Sequence, residues 1–349
     1  MGQNIVLKGK ILDSTTKKPV EMVNIYLLHN PEIGTISNED GQYFLTMKKP
    51  DTVAFSHISY KTYLFKVSIK GINDTIFLVR RPENLKEVVI KANNLEEIRA
   101  IISNIRKNIK NNYIGLKKVY YKVFTRVWGM SGKQLSEFQE YFLHLYRGAY
   151  FSPKLKIMHA RAKAFTPEKI KMFGNARPYL LLGVFDDYTL IYDNDILKVG
   201  ALSKFDCSLL QEVNIDHCSC YHIRLTRKNK KETWNLFVDK KTYALVKVEY
   251  KKNEYPKSVV NGVINYQQVD GKWYLKSSRV SFWPNSHPND LTNRLSIYTK
   301  MNAESLKGYL GLFKILRIKI AKFSSGFNSD FWKNNVVVPI PKRIKVQIK

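Results

Sequence analysis

Residues 34–45, GTISNEDGQYFL, are the stretch on which the reading of the fold turns. A short β-prone run meets Asp40-Gly41, and an aromatic β-prone run follows. Glycine reaches the positive φ that a tight turn needs, so the stretch predicts a hairpin. Working outward, the neighbours repeat the pattern. IVLKGKIL (5–12) alternates apolar and polar residues, and DSTTKKP (13–19) reads as a turn. EMVNIYLL (21–28), DTVAFSHISYKTYLFKV (51–67), DTIFLV (74–79) and LKEVVIKA (85–92) read as further strands with no helical period. Seven or so short strands in about ninety residues predict a small β-sandwich.

The same residues carry a resemblance. Gly9-Lys10-Ile11-Leu12-Asp13, the Pro19-Val20 turn, the hairpin above, Phe55-Ser56-His57-Ile58-Ser59-Tyr60 and the closing Leu85-Lys86-Glu87-Val88-Val89-Ile90 follow one another. In that order they resemble the carboxypeptidase-regulatory-like domain, a transthyretin-like β-sandwich. This domain stands at the N-terminus of many exported Gram-negative envelope proteins, TonB-dependent receptors among them. The resemblance implies the sandwich fold and covers about a quarter of the chain.

Beyond it the period changes. In NLEEIRAIISNIRKNIKNN (94–112), Leu95, Ile98, Ile101 or Ile102, Ile105 and Ile109 recur at three- and four-residue spacing, with Asn94 as a candidate N-cap. That pattern predicts an amphipathic helix. VYYKVFTRVW (119–128), EFQEYFLHLYRGAYF (137–151) and long runs after residue 205 return to β pattern, with hairpins at VDKKTY (238–243) and VDGKWY (269–274). Long neighbouring strands of this kind predict an antiparallel meander or open barrel. The expected class is therefore mainly β: a sandwich over 1–92, a connecting α-helix over 93–113, and a curved sheet or half-barrel with minor helices over 114–349. KVYYKVFTR, the VDKKTYAL and DGKWYL hairpins and the late SDFWKNN resemble a family of uncharacterised envelope proteins. Their hairpins are similar to the half-barrel of outer-membrane lipoprotein carriers. This implies export to the periplasm or outer membrane, a leader already removed, and Gln3 as the start of the mature chain. It supplies no activity.

Charge narrows the partners. The chain carries a formal net charge of +29, of which residues 1–90 hold only +3. An excess of that size favours anionic partners: nucleic acid, anionic lipid or acidic polysaccharide. A lysine-rich, well-solvated surface is the plain alternative. The strongest local feature is GYLGLFKILRIKIAKF (308–323), where Lys314, Arg317, Lys319 and Lys322 alternate with apolar residues. As a helix it suits contact with an anionic surface, or ordinary packing with its lysines in water. Nucleic acid would want aromatics interleaved with basic residues, which VYYKVFTRVW and KWYLKSSRVSFW offer, as any aromatic β-core with outward lysines would. Export would remove that reading. No apolar run reaches the roughly 20 residues of a membrane-spanning helix.

No motif assembles a catalytic centre. His29-Asn30-Pro31-Glu32 has the H-x-x-E form of zinc carboxypeptidases, but it lies in a loop that fixes neither side chain. GMSGK (129–133) is neither a nucleophile elbow nor a phosphate loop. Asp186, Asp187, Asp193 and Asp195 form carboxylate pairs suited to a cation, to acid–base work, or to plain turn solvation. HCSCYH (217–222) is the densest cluster of metal-ligand types. On a strand it strings Cys218, Cys220 and His222 along roughly 13 Å of one face, too spread for one tetrahedral zinc. A disulfide from Cys207 to Cys218 or Cys220 is the alternative in an oxidising compartment. The expectation is a non-enzymatic envelope binding or scaffold protein with no cofactor or metal. It would hold a lipid or other hydrophobic ligand, or dock onto an anionic lipid, an envelope polysaccharide or an envelope protein. A hydrolase of envelope polymers and a nucleic-acid binder are the alternatives.

Overall fold

The computed structural model describes residues 4–31, 33–68, 72–81, 94–113, 119–131, 133–147, 154–165, 195–216, 218–228, 232–254, 258–283, 295–304, 330–334 and 336–348. The chain is mainly β and forms two compact units. One comprises Met1–Lys86, Asn214–His217 and Phe327–Lys349, the other Glu87–Val213 and Cys218–Gly326.

Among the described residues the first unit contains seven strands: β1 (Ile5–Asp13), β2 (Asn24–Leu27), β3 (Gly34–Ile36), β4 (Gln42–Met47), β5 (Thr52–Ser56), β6 (Tyr63–Lys66) and β7 (Ile72–Leu78). They make a three-stranded sheet β4-β1-β7 and a four-stranded sheet β3-β2-β5-β6. Alternation along β1 turns Leu7 and Ile11 inward, where they meet Ile25, Tyr43, Val53, Phe55 and Leu78 in one core. Gly41 takes φ 73° in the turn before β4, and a side chain there would strike the Ile11 carbonyl. The turn at Asp40-Gly41 is thus fixed both by conformation and by space. LKEVVIKA lies outside the described residues apart from its sequence.

Asp13 closes the sandwich. Its buried carboxylate accepts from the amides of Thr15 (2.9 Å) and Thr16 (2.7 Å), from Tyr60 Oη (2.8 Å) and from Arg80 Nε (2.6 Å). The Thr16 amide above all, then the Arg80 guanidinium, hold this carboxyl well below the usual range. The unit is completed by the C-terminal segment and so is discontinuous in sequence. Thr35 Oγ1 donates to the Val337 carbonyl (2.6 Å), and Asn38 Nδ2 to that of Pro339 (3.1 Å). Asp40 accepts the Lys342 amide (2.7 Å) at the start of the helix Lys342–Ile348, and Arg343 forks onto Glu39 at 2.6 and 2.8 Å. Val338, Ile344 and Ile348 are buried with them.

The second unit opens with helix α1 (Asn94–Asn112). Its Ile98, Ile101, Ile102 and Ile105 are buried, as the spacing predicts, while Leu95 is 38% exposed. Among the described residues ten strands follow: β8 (Val119–Ser131), β9 (Gln134–Arg147), β10 (Lys154–Ala164), β11 (Phe205–Ile215), β12 (Cys218–Arg227), β13 (Thr233–Asp239), β14 (Leu245–Glu254), β15 (Ser258–Val269), β16 (Lys272–Trp283) and β17 (Leu295–Glu304). They form one sheet in the order β10-β9-β8-β17-β16-β15-β14-β13-β12-β11. It is two meanders, joined where β17 pairs antiparallel with β8. Asp270 (φ 48°) and Gly271 (φ 73°) make the β15–β16 turn. Asp239 anchors the β13–β14 turn by accepting the Thr242 amide and hydroxyl at 2.9 and 2.6 Å. The end of α1 is tied to the sheet through Tyr113 and Asn112. Tyr113 Oη accepts the Leu245 amide (2.7 Å), and Asn112 donates to the Thr242 carbonyl (2.7 Å). Among the described residues no helix is long and apolar enough to cross a membrane.

Candidate functional site

Directly paired residues of an antiparallel sheet share a face, so register alone sorts the ten strands into rows. One row runs Ile223, Leu236, Val248, Ile264, Ser278, then across β17 to Thr125, Tyr141 and Ala160. Its neighbour runs Leu225, Trp234, Tyr250, Gly262, Val280, then Val127, Gln139 and Ala162. Neither row holds a charged side chain. In the second, the Trp234 and Tyr250 rings pack at a tilt of 33° with centroids 4.9 Å apart, and the Tyr250 ring covers Gly262.

The opposite face is built otherwise. Its central row runs Arg224, Asn235, Glu249, Val263 and Arg279, then across β17 to Arg126, Glu140 and Arg161. The flanking rows add Lys247 on one side and Lys251 and Lys163 on the other. Among described side chains these three rows hold seven Lys or Arg against Glu249 and Glu140. Aromatic rings stand between the charges: Phe237 beside Lys247, Phe124 paired with Phe142, and Trp128 paired with Phe138.

Burial deepens along the central row. Arg224 is exposed and Arg279 half-buried, whereas Arg126, Glu140 and Arg161 are only 4%, 1% and 8% exposed. Glu140 holds both arginines, with Arg126 Nε on Oε1 and Arg161 Nε on Oε2, each at 2.5 Å. Arg126 also lies over the Phe124 ring at 5.5 Å, and Arg161 over Phe138 at 6.0 Å. Burial lowers the pKa of Arg161, against the pull of Glu140. An arginine stays charged at any physiological pH all the same, so this end of the face is a desolvated positive centre set among rings.

On the reverse of β9, Tyr141 Oη donates to Gln139 Oε1 (2.5 Å) and Gln139 Nε2 to Glu137 Oε2 (2.9 Å). Glu137 and Glu140 are three residues apart on one strand and so face opposite ways. The sheet lies between them, and they cannot work as an acid–base pair.

The candidates from sequence fall differently. Lys314, Arg317, Lys319 and Lys322 lie outside the described residues, as do Asp186, Asp187 and Asp193; of Asp195 only the backbone is described. His29 meets Asp51 (2.5 Å), while position 32 is outside the described residues. The structure does not form the Cys207–Cys218 disulfide: Cys207, Cys218 and Cys220 are all thiols. Cys207 lies near the start of β11 and Cys218 at the start of β12, opposite ends of a hairpin. They are roughly 20 Å or more apart at about 3.3 Å per residue, where a disulfide needs Cα atoms within about 7 Å. Burial, then Asp206, pushes the Cys207 thiol pKa up. Within HCSCYH, His217 is outside the described residues, Cys220 is buried, and His222 stacks on Phe237 (4.3 Å) beside Asn235 Oδ1 (3.2 Å). Burial holds His222 below its ordinary pKa. Among the described residues no three His, Cys, Asp or Glu side chains are grouped to hold a metal.

The seven cations come from five strands, and pairing alone aligns them. Only fragments of the row were visible beforehand, as the alternation Lys122-x-Phe124-x-Arg126-x-Trp128.

Residues 7–90 match the family described as CarboxypepD_reg-like domain. No curated protein matches the chain. Among solved structures, a DUF1329 family protein from Desulfovibrio piger is similar at 13% identity, covering 62% of this chain and 94% of that one, with a TM-score of 0.28. A putative outer membrane lipoprotein-sorting protein domain from Vibrio parahaemolyticus gives 10% identity, 62% and 95% coverage and 0.28. A LolA superfamily protein from Nitrosomonas europaea gives 9%, 58%, 91% and 0.23.

Proposed function

We propose that the chain is a non-enzymatic binding protein of the bacterial cell envelope, with the ten-stranded sheet as its ligand-bearing part. The observation that carries this reading is the division of the sheet, with two adjacent uncharged rows on one face and cations among aromatic rings on the other. An enzyme needs a few groups converging on one reacting atom. A face that spreads its charged groups over many strands suits contact with an extended partner. The regulatory-like domain at residues 7–90 supports the envelope setting, since that domain type stands in front of exported proteins.

The test is fractionation of the native host followed by detergent-free purification and mass spectrometry of an organic extract. Recovery in the envelope fraction with a stoichiometric lipid or an envelope component bound is the expected result. Recovery in the cytoplasmic fraction, or turnover of an envelope polymer by the purified chain, overturns it.

A further inference from the structure

The sandwich carries a surface that the ten-stranded sheet does not share. Among the described residues nine large apolar side chains are exposed, and four of them gather on its edge strands β6 and β7. Tyr63 (41%) and Leu64 (54%) belong to β6, Phe77 (46%) to β7, and Val79 (52%) follows it. The two edges lie on one side of the unit. The Lys61 amide donates to the Val79 carbonyl (2.9 Å) and Tyr60 bridges to Arg80, so the strands meet there before joining separate sheets.

A sheet edge ordinarily guards itself with lysines or with breaks in its ladder. β10, at one end of the larger sheet, does both. Lys154, Lys156 and Lys163 stand along it, and its register shifts between Ile157 and His159. At the centre of β6 neither guard is present. Its pairing with β5 is regular from Lys66–Thr52 to Tyr63–Phe55, and among the described residues no strand pairs with its other side. Bonding pairs alternate along an antiparallel ladder. The Val67 amide donates to the Asp51 carbonyl (3.0 Å), so Val67, Phe65 and Tyr63 direct their backbone groups to β5. Leu64 and Lys66 direct theirs outward.

The sequence of β6 decides what fits this edge. In a twofold pairing of β6 with itself about Leu64, Leu64 faces Leu64, Tyr63 faces Phe65 and Lys66 faces Thr62. Apolar meets apolar, ring meets ring, and no lysine opposes a lysine. The outward backbone groups of Leu64 and Lys66 fall in bonding pairs in that register. Centred one residue either way, the pairing sets Phe65 against Lys61 or Leu64 against Lys66. Charge favours the same part of the chain. Residues 1–90 hold only +3 of the +29, so two copies repel each other least there. We propose that the open edge of β6 binds a second copy of this chain, the two β6 strands pairing antiparallel about Leu64.

The test is sedimentation velocity of the full chain over a wide range of concentration, at low and high salt. A monomer–dimer equilibrium that tightens with salt is expected, because salt screens the repulsion between two basic chains. Leu64→Lys should weaken the dimer roughly tenfold or more, by setting two lysines face to face on the twofold axis. Val346→Lys, at a position 74% exposed on the C-terminal helix, makes the same change of charge and should leave the dimer within about twofold. The register is read by cross-linking under mild oxidation, with the parent chain as background for its own thiols. Leu64→Cys puts two thiols on paired residues with Cα atoms about 5.5 Å apart, within disulfide reach. Thr62→Cys places them about 13 Å apart along the strand, out of reach. Leu64→Cys should therefore cross-link and Thr62→Cys should not. A parent chain that stays monomeric throughout overturns the proposal. So does a dimer that Leu64→Lys weakens no more than Val346→Lys does, or cross-linking of Thr62→Cys as readily as of Leu64→Cys.

Discussion

At residue scale the most exposed commitments are buried ones. Glu140 holds two guanidinium groups, Arg126 and Arg161, with its two oxygens, and all three side chains are withdrawn from water. Glu140→Gln leaves two buried cations around a neutral amide. It should cost about 3–5 kcal/mol, read as a lower urea midpoint with an unchanged slope. Gly262 is constrained by space alone. It faces Tyr250 across the β14–β15 pairing, and a Cβ there would sit inside the Tyr250 ring. Gly262→Ala should therefore destabilise by about 1–3 kcal/mol, since the ring and the Trp234 packed against it must shift together; Tyr250→Ala in the same chain should make the glycine change nearly neutral. The thiols give a third check. Unreduced protein unfolded in denaturant should titrate three free thiols, and in the native state Cys220, wholly buried, should react slowest. A count of one would restore a disulfide.

At the scale of elements, β1 and the hairpin before β4 carry the first unit. Asp13 caps the end of β1, and its carboxyl is depressed by the Thr16 amide and then by Arg80. A carboxyl whose folded pKa lies below its unfolded value contributes stability that is fully present above about pH 4 and is lost as pH falls through the folded pKa. The first unit should accordingly weaken below about pH 4. Asp13→Asn should be less stable at neutral pH and show a flatter acid limb in urea midpoints taken against pH. The hairpin has a second partner in the C-terminal segment. Arg343→Glu opposes Glu39 and should loosen the segment from residue 336 onward, read as faster hydrogen exchange at Thr35–Gln42 and Val337–Ile348. The reciprocal Glu39→Arg in the same chain should restore part of that protection, because the pair is reversed rather than removed.

At the scale of the whole molecule, the strand-rich character of residues 5–78 and helix α1 were legible in the sequence because local patterning sets both, although the run 51–67 divides into β5 and β6 and the strand expected at LKEVVIKA lies outside the described residues. Period-two alternation in IVLKGKIL, turn chemistry at Asp40-Gly41 and isoleucines at helical spacing each act within about ten residues. HCSCYH was legible as a strand for the same reason. Its cysteine pairing was not, because antiparallel register sends Cys207 and Cys218 to opposite ends of their hairpin. What the chain determined by itself was therefore the kind of each element, a mainly β class and a large positive charge. Three things were decided only in the tertiary structure. β17 pairs with β8 and joins two meanders into one sheet, residues 327–349 complete a domain begun at the N-terminus, and cations from five strands share one face. Each depends on contacts between residues far apart in sequence, which no local propensity encodes. The physical reason is that burial and strand pairing are summed over the assembled sheet, where a single register sets the face of every side chain at once.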